Sequence, residues 1–257
     1  EILVFSDANS MLEKNSISNL VNFFSDLSVG YVSGRLTYSN VDENPISSVE
    51  DKYWNFDIRI RNMESKISSI VGGNGAIYAI RKKCYFELPN LLSHDGFMPT
   101  KVFVNGFKAK FAQSSVAYEK VSNNVNDEFK RKVRMQRGQP FKKYYDFKKF
   151  NFFRYGWFSY FYFGHKYLKY ILYVLHPLLF FLNYLLSFKG NFYLLIFIFH
   201  ISFYLFALFE LIFKTKFKIF YYPFYYSMTI FAQLLSVYNT FFRVVKPNWE
   251  KSESTRL

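Results

Sequence analysis

The sequence predicts an α/β domain followed by an α-helical membrane region, and three observations carry that prediction. Four apolar residues without alternation, Ile2 to Phe5, stop abruptly at Ser6, Asp7 and Asn9, as a strand buried on both faces does at its carboxyl edge. Strand-period and helix-period stretches then alternate along the chain. Finally, the aromatic residues, 23% of the chain, crowd the last hundred positions and leave three long stretches free of interior Lys or Arg.

Taken in order, a helix is expected from about Leu12 to Leu27, with Leu12, Ile17, Leu20, Val21 and Phe24 on its apolar side. Val29 to Tyr38 alternates as a strand does, and Ser39 to Pro45 is a polar turn containing Asp42 and Asn44. Val49, Tyr53, Phe56, Ile60, Met63, Ile67 and Ile70 recur at four- and three-residue intervals. That spacing makes one apolar stripe on a long helix, expected to pack against the sheet. Val71 to Gly75 (Val-Gly-Gly-Asn-Gly) is a turn whose glycines permit close backbone approach, and Ala76 to Ile80 is a short strand. No Gly-x-Gly-x-x-Gly or Gly-Lys-Ser/Thr accompanies it, so a dinucleotide or P-loop fingerprint is excluded.

Ser93-His94-Asp95-Gly96 opens a helix that Gly106 ends, which places Asp95 at a helix amino end, either as a cap or as a general base. Lys108 to Ala112 and Ser115 to Tyr118 read as strands, and Asn126 to Gln139 as a basic helix. Asn151 to His165 mixes aromatics with Arg154, Trp157 and His165, an interfacial pattern. Tyr170 to Phe188, Phe192 to Phe213 and Ile219 to Phe242, at 19, 22 and 24 residues, each match the roughly 20 needed to cross a bilayer core. Glu210 lies close enough to Lys214 for an interfacial pair. The organisation expected is therefore a catalytic part over 1–150, an interfacial segment over 151–169, a membrane region over 170–242 and a polar tail over 243–257.

Net charge is +14, from 33 basic and 19 acidic residues. Nine of the basic residues stand between Phe129 and Lys149 against Asp146 alone. Just ahead of apolar spans such a run faces anionic lipid on the cytoplasmic surface, so membrane lipids are expected as a partner and nucleic acid is not. Lys214, Lys216 and Lys218 favour the same side for the second connector. Together these charges imply a multi-pass cell (inner) membrane location with the catalytic part cytoplasmic. Cys84 is the single cysteine, which excludes an internal disulfide and a Cys-rich metal site. The chain opens on Glu1 and on a strand that needs neighbours, so an upstream portion is expected as well.

A carboxylate at a strand's carboxyl end with an oxygen ligand two residues on suits Mg²⁺ or Mn²⁺ carrying a diphosphate; the alternative is an Asp capping the next helix. Taken together, the chain resembles the processive, polysaccharide-type branch of family 2 glycosyltransferases, inverting enzymes of the GT-A fold related to cellulose and hyaluronan synthases. Ile2 to Ser10 looks like the family's Asp-x-Asp segment, implying metal and nucleotide-sugar binding by Asp7, with Asn9 in place of the second Asp. Ser33-Gly34-Arg35 and Gly73-Asn74-Gly75-Ala76-Ile77-Tyr78 look like acceptor- and donor-lining segments, implicating Arg35, Gly73 and Asn74. His94-Asp95 falls where the family has two acids, implying that Asp95 is the catalytic base and that His94 lies beside the substrate. Arg131 to Met135 stands where the family has Gln-x-x-Arg-Trp, with Arg134 matching its Arg. Arg131 and Arg134 would then steady the leaving diphosphate. His165-Lys166 and the apolar spans beyond them look like the family's membrane portion. The resemblance implies a partial GT-A, Rossmann-like catalytic domain, a divalent cation, a nucleotide-sugar donor and a glycan or lipid-linked acceptor. The competing expectation is an inactive, truncated product that keeps only a membrane-anchored partial domain.

Overall fold

The computed structural model describes residues 1–41, 45–88, 92–122, 124–135 and 151–242. Asp42 and Asn44 of the polar turn, the basic run from Arg137 to Lys149, and the tail 243–257 lie outside the described residues. The described residues form two compact units, one within 1–124 and 151–167, the other within 125–135 and 168–242.

The first unit is an α/β domain on a mixed five-stranded sheet, β1 (Ile2–Phe5), β2 (Met11–Leu12), β3 (Val29–Tyr38), β4 (Tyr78–Arg81) and β5 (Lys108–Glu119), in the order β1-β4-β3-β5-β2. β3 runs parallel to β5 and antiparallel to β4, and β1 is antiparallel to β4. Helices α1 (Ser16–Val21), α2 (Pro45–Ile67) and α3 (His94–Val104) cover it. Alternation along the strands divides the core as the two-residue period requires. Tyr31, Tyr78, Ile80 and Phe111 join Ile58 of α2 and Met98 and Val102 of α3. Val32, Ala79 and Ala112 join Leu20 of α1 and Phe24 just beyond it.

Three expectations are corrected here. β1 is an edge strand, paired with β4 alone among the described residues, and Val4 is exposed rather than buried on both faces. The helix expected from Leu12 shrinks to α1 and one 3-10 turn, Asn22–Ser25. Leu12 pairs with Ala117 instead, and the Ser16 hydroxyl donates to Val116 O at 2.6 Å, anchoring the chain to β5 before a helix can start. The apolar stripe of α2 does not pack on the sheet. Tyr53, Phe56, Met63 and Ile67 are exposed, and the helix buries Glu50, Asp57, Ile58, Arg61 and Glu64. Periodicity located the helix correctly but assigned its faces the wrong way round.

Beyond the sheet, α5 (Phe152–Tyr155), α6 (Trp157–Phe161) and a π-helical turn, Tyr162–Tyr167, form the last segment of this unit. Phe158 stacks on Phe103 of α3 at 3.9 Å between centroids, and Tyr162 packs with Val71.

The second unit holds α4 (Val125–Met135), the short α7 (Leu168–Tyr170), α8 (Leu172–Ser187), α9 (Asn191–Phe213) and α10 (Lys218–Phe242). Among the described residues α9 alone is long and apolar enough to cross a membrane. α8 has 16 residues, short of the roughly 20 a crossing needs, and α10 falls short in apolarity. Glu210 accepts from the Thr215 hydroxyl at 2.6 Å and the Lys216 N–H at 2.9 Å rather than from the Lys214 ammonium. The carboxylate thereby caps the end of α9.

Gly34 marks the tightest packing in the sheet. A Cβ there would lie 2.5 Å from Ile77 Cγ2 and 2.7 Å from Ser115 O. Gly34→Ala is expected to lower stability by about 1–3 kcal/mol, the usual cost of overpacking, measured as a fall in the thermal midpoint of the reconstituted chain.

Candidate active site

The turn 72–76 is where the two acids singled out in the sequence meet. At one end the Asp7 N–H donates to Gly75 O at 3.0 Å, and the Ser6 hydroxyl donates to Ala76 O at 2.9 Å. At the other end the Gly73 N–H donates to Asp95 O at 2.9 Å. Asp7 leaves the carboxyl end of β1 and Asp95 is the second residue of α3, so strand end and helix start converge on one five-residue turn. The glycines make this approach possible: a Cβ on Gly75 would lie 2.5 Å from Asp7 Oδ2, and one on Gly73 would lie 2.2 Å from the Tyr31 hydroxyl.

Asn74 is buried, and its side chain shapes the turn. It donates to Gly34 O at 2.7 Å and accepts from the Ile77 N–H at 3.4 Å, while the Asn74 N–H donates to Ser33 Oγ at 3.2 Å. The two segments read as substrate-lining, Ser33 to Arg35 and Gly73 to Tyr78, are thus hydrogen-bonded to each other. Arg35 lies on β3 opposite Val116. Asn9 follows Asp7 inside a turn closed by the Ser10 N–H on Asp7 O at 3.1 Å. Arg131 and Arg134 stand on α4 in the second unit. There the Arg131 guanidinium forks onto the buried Glu128 with two 2.8 Å contacts, and the Tyr225 hydroxyl donates to the same carboxylate at 3.3 Å.

An aromatic ladder runs beside the acids. Tyr31 stacks on Tyr78 at 5.4 Å, Tyr78 on Phe5 at 4.9 Å and Phe5 on Tyr85 at 5.9 Å, and His94 tilts against Tyr85 at 5.5 Å. Burial raises the pKa of the Tyr78 hydroxyl, and the charges of Asp95, Tyr85 and Asp7 raise it further. This phenol, marked in the sequence only as the end of a substrate-lining segment, stays protonated within electrostatic reach of both acids. Burial also pushes the Asp95 carboxyl above its ordinary 3.8, while Ser93, the Gly96 N–H, Arg61 and Lys166 act in the opposite direction.

Behind the turn lies a buried ionic network that sequence patterns did not reveal. His165 Nε2 meets Asp57 Oδ1 at 2.9 Å and His165 Nδ1 meets Glu64 Oε1 at 2.8 Å. Two carboxylates need two N–H donors, so the ring is an imidazolium. Burial would lower its pKa, but the bonds to Asp57 and Glu64 lift it to about 9. For Asp57, burial works upward, and Arg61 at 2.5 Å with His165 carries it down to about 2. The Val71 peptide, at the root of the turn, is held on both sides. Its N–H reaches Glu64 Oε2 at 3.4 Å, and its carbonyl accepts from Lys166 at 2.9 Å and from Thr100 at 3.0 Å. Lys166, 5% exposed, also donates to Gly96 O in the first turn of α3. The one signal in the sequence was the charged row Asp57, Arg61, Glu64 at i, i+4, i+7 opposite the apolar stripe.

Asp7 and Asn9 offer hard oxygen donors, which fit an Mg²⁺ or Mn²⁺ that takes its remaining ligands from phosphate and water. Gly75 keeps space at the Asp7 carboxylate that a side chain would fill. No group of three or more His, Cys, Asp or Glu forms an all-protein metal cage among the described residues.

The sequence matches the model of glycosyl transferase family group 2 over residues 2–238. The chain belongs to that family. No curated protein matches this family 2 chain in sequence. Among solved structures it is similar to the mannosyltransferase PcManGT from Pyrobaculum calidifontis in complex with GDP-Man and Mn2+, with a TM-score of 0.62 at 17% identity. The match covers 94% of this chain and 62% of that one, and at this identity it shows a shared fold, a mixed α/β sheet of the GT-A kind.

The His165 network fixes a pH dependence. His165 is raised from 6.5 to about 9, so its stabilisation is complete below about pH 6.5 and lost as pH rises through about 9. Thermal unfolding of the wild type is expected to lose on the order of 3 kcal/mol across that interval. His165→Gln starts lower and shows a flat profile there.

Proposed function

We propose that this chain is the catalytic part of a membrane-bound inverting glycosyltransferase, moving a sugar from a nucleotide-sugar donor to a glycan or lipid-linked acceptor. The observation that carries the proposal is the turn 72–76, which joins Asp7 at one end to Asp95 at the other through backbone hydrogen bonds. Family membership and the likeness to a mannosyltransferase holding GDP-Man and Mn2+ support it.

In this reading Asp7 and Asn9 would hold a divalent cation at the donor diphosphate, and the cation would supply charge neutralisation for the leaving group. Asp95 accepts the proton of the acceptor hydroxyl, and that oxygen forms the new bond to the anomeric carbon while the bond to the diphosphate breaks. The electron pair leaves with the nucleoside diphosphate. Attack from the face opposite the leaving group inverts the configuration. The Tyr78 hydroxyl serves as a neutral donor within electrostatic reach of the two acids. The Ser93 side chain, the Gly96 N–H, Arg61 and Lys166 all oppose the burial that raises the Asp95 carboxyl, favouring the ionised form that a general base needs. Arg131, already forked onto Glu128, acts by shaping α4.

The membrane part of the proposal rests on α9, 23 residues long with an 18-residue stretch of mean hydropathy 2.3, and on Lys214, Lys216 and Lys218 beyond it. We place the α/β unit at the cytoplasmic face of a cell membrane, beside a lipid-linked or elongating acceptor; the multi-pass arrangement expected from the sequence is not kept, because α9 alone among the described helices has the length and apolarity to cross.

Asp95→Asn is expected to lower transfer by about 10²–10⁴-fold, the usual worth of a general base, with donor binding intact in calorimetric titration. In the wild type, transfer falls with pH as Asp95 protonates, at a pH above the ordinary 3.8. Undiminished transfer by Asp95→Asn would remove the base assignment. Gly75→Ala, by pushing on the Asp7 carboxylate, is expected to weaken Mn²⁺-dependent binding of a nucleoside diphosphate. Unaltered titration of that variant would remove Asp7 from the donor site.

A further inference from the structure

The face that α2 presents to solvent has an unusual composition. Among its described residues, the exposed ones are Lys52, Tyr53, Phe56, Arg59, Met63, Lys66 and Ile67: three cations, four large apolar side chains and no acid. At 3.6 residues per turn they share one arc of roughly 140°. Lys66, Arg59 and Lys52 lie along one border, and Met63, Phe56, Ile67 and Tyr53 fill the rest. Phe56 is 64% exposed, and Met63 and Ile67 are 56% exposed. Of the helix's four acids, Glu50, Asp57 and Glu64 are buried, and the half-buried Asp51 lies outside this arc, beyond the cationic border, where it accepts from the Asn55 amide at 2.7 Å. Elsewhere the same unit exposes acids freely, at Glu13, Asp26 and Glu87, so the absence is particular to this face.

The neighbouring segment repeats the pattern. Phe153, Trp157 and Tyr160 of α5 and α6 are exposed, together with Arg154 and no acid. His165, at the end of that segment, is bonded to Asp57 and Glu64 of α2, so the buried ionic network joins the two elements. A stable apolar stripe bordered by cations is what an amphipathic helix shows when it lies in a bilayer interface, with Lys and Arg stems running along the apolar surface and their charges reaching the headgroups. Acids are excluded because an anionic surface repels them.

We propose that α2 is a second interfacial helix of the α/β unit. It rests on an anionic bilayer surface through Tyr53, Phe56, Met63 and Ile67, with Lys52, Arg59 and Lys66 at the lipid phosphates. The inference builds on the membrane reading of α9, and the two are tested by separate labels.

The experiment uses the full chain carrying Cys84→Ala, reconstituted in vesicles of phosphatidylcholine and phosphatidylglycerol. Nitroxides are placed one at a time at Phe56→Cys, Met63→Cys, Glu13→Cys and Phe199→Cys, and depth is read from collision with oxygen and with a water-soluble nickel chelate. Labels at 56 and 63 are expected about 5–10 Å below the phosphate level, shallower in pure phosphatidylcholine. The label at 13 is expected in water and the one at 199 within the hydrocarbon. Water exposure at 56 and 63, with 199 in hydrocarbon, would overturn this proposal alone. Water exposure at 199 would instead overturn the membrane reading. Labels at 56 and 63 shielded from both reagents would mean that another polypeptide covers the face, which also overturns it. Ile67→Cys repeats the measurement if either substitution fails to fold.

Discussion

Everything at the candidate site depends on backbone being allowed where side chains are not. A single methyl group at Gly73 or Gly75 would collide with the Tyr31 hydroxyl or with the Asp7 carboxylate. Because neither residue carries one, a five-residue turn can bond to the end of β1 and to the start of α3 at once. Asp7 and Asp95, far apart along the chain, become neighbours of the same turn without touching each other through any long side chain. Their roles can then differ with their surroundings. Asp7 stands exposed at a strand end, where water and phosphate can complete a cation's shell. Asp95 is half-buried beside the turn, where burial favours the neutral acid and the Ser93 side chain, the Gly96 N–H, Arg61 and Lys166 act against it.

The ionic network behind the turn is an expensive arrangement. Buried ion pairs are weak contributors to net stability because each charge must leave water, yet α2 buries Asp57, Arg61 and Glu64 and receives His165 from the last segment of the unit. The adjoining Lys166 reaches Val71 O and Gly96 O. Once assembled, the network is strongly self-consistent: His165 must carry both protons to satisfy two carboxylates, and Asp57 must be ionised to satisfy both Arg61 and His165. Removing any member leaves a buried charge uncompensated. The specificity this gives is positional, since the same residues fix where the Val71 peptide lies and therefore where the catalytic turn begins.

The sequence exposed the fold class, the strand that ends in Asp7, the glycine turn and the helix opened by Asp95, because each depends on local patterns: an apolar run stopped by small polar residues, glycines where backbones crowd, a polar residue at a helix start. It misassigned α2 for a physical reason. Hydrophobic periodicity reports which side chains share a face, not which way that face points, and here the inward face is held by charges that pair with residues a hundred positions later. His165 and Lys166 look, in sequence, like the polar fringe of a membrane segment. Only tertiary contact reveals that Lys166 is a cation supporting Asp95. Tyr78 stands out in the sequence only as the last residue of a substrate-lining segment, because its relation to two distant carboxylates is set by sheet register. Of the three apolar stretches, α9 alone keeps both the length and the composition for a crossing, since helix ends and buried polar groups are not set by composition alone.

The clamp on Val71 has a consequence for motion. With its N–H directed to Glu64 and its carbonyl taken by Lys166 and Thr100, this peptide is a fixed pivot, and the freedom left to the backbone begins only at Gly72. Any displacement of the turn must therefore hinge at Gly72 and break its bonds to the Asp7 and Asp95 backbones.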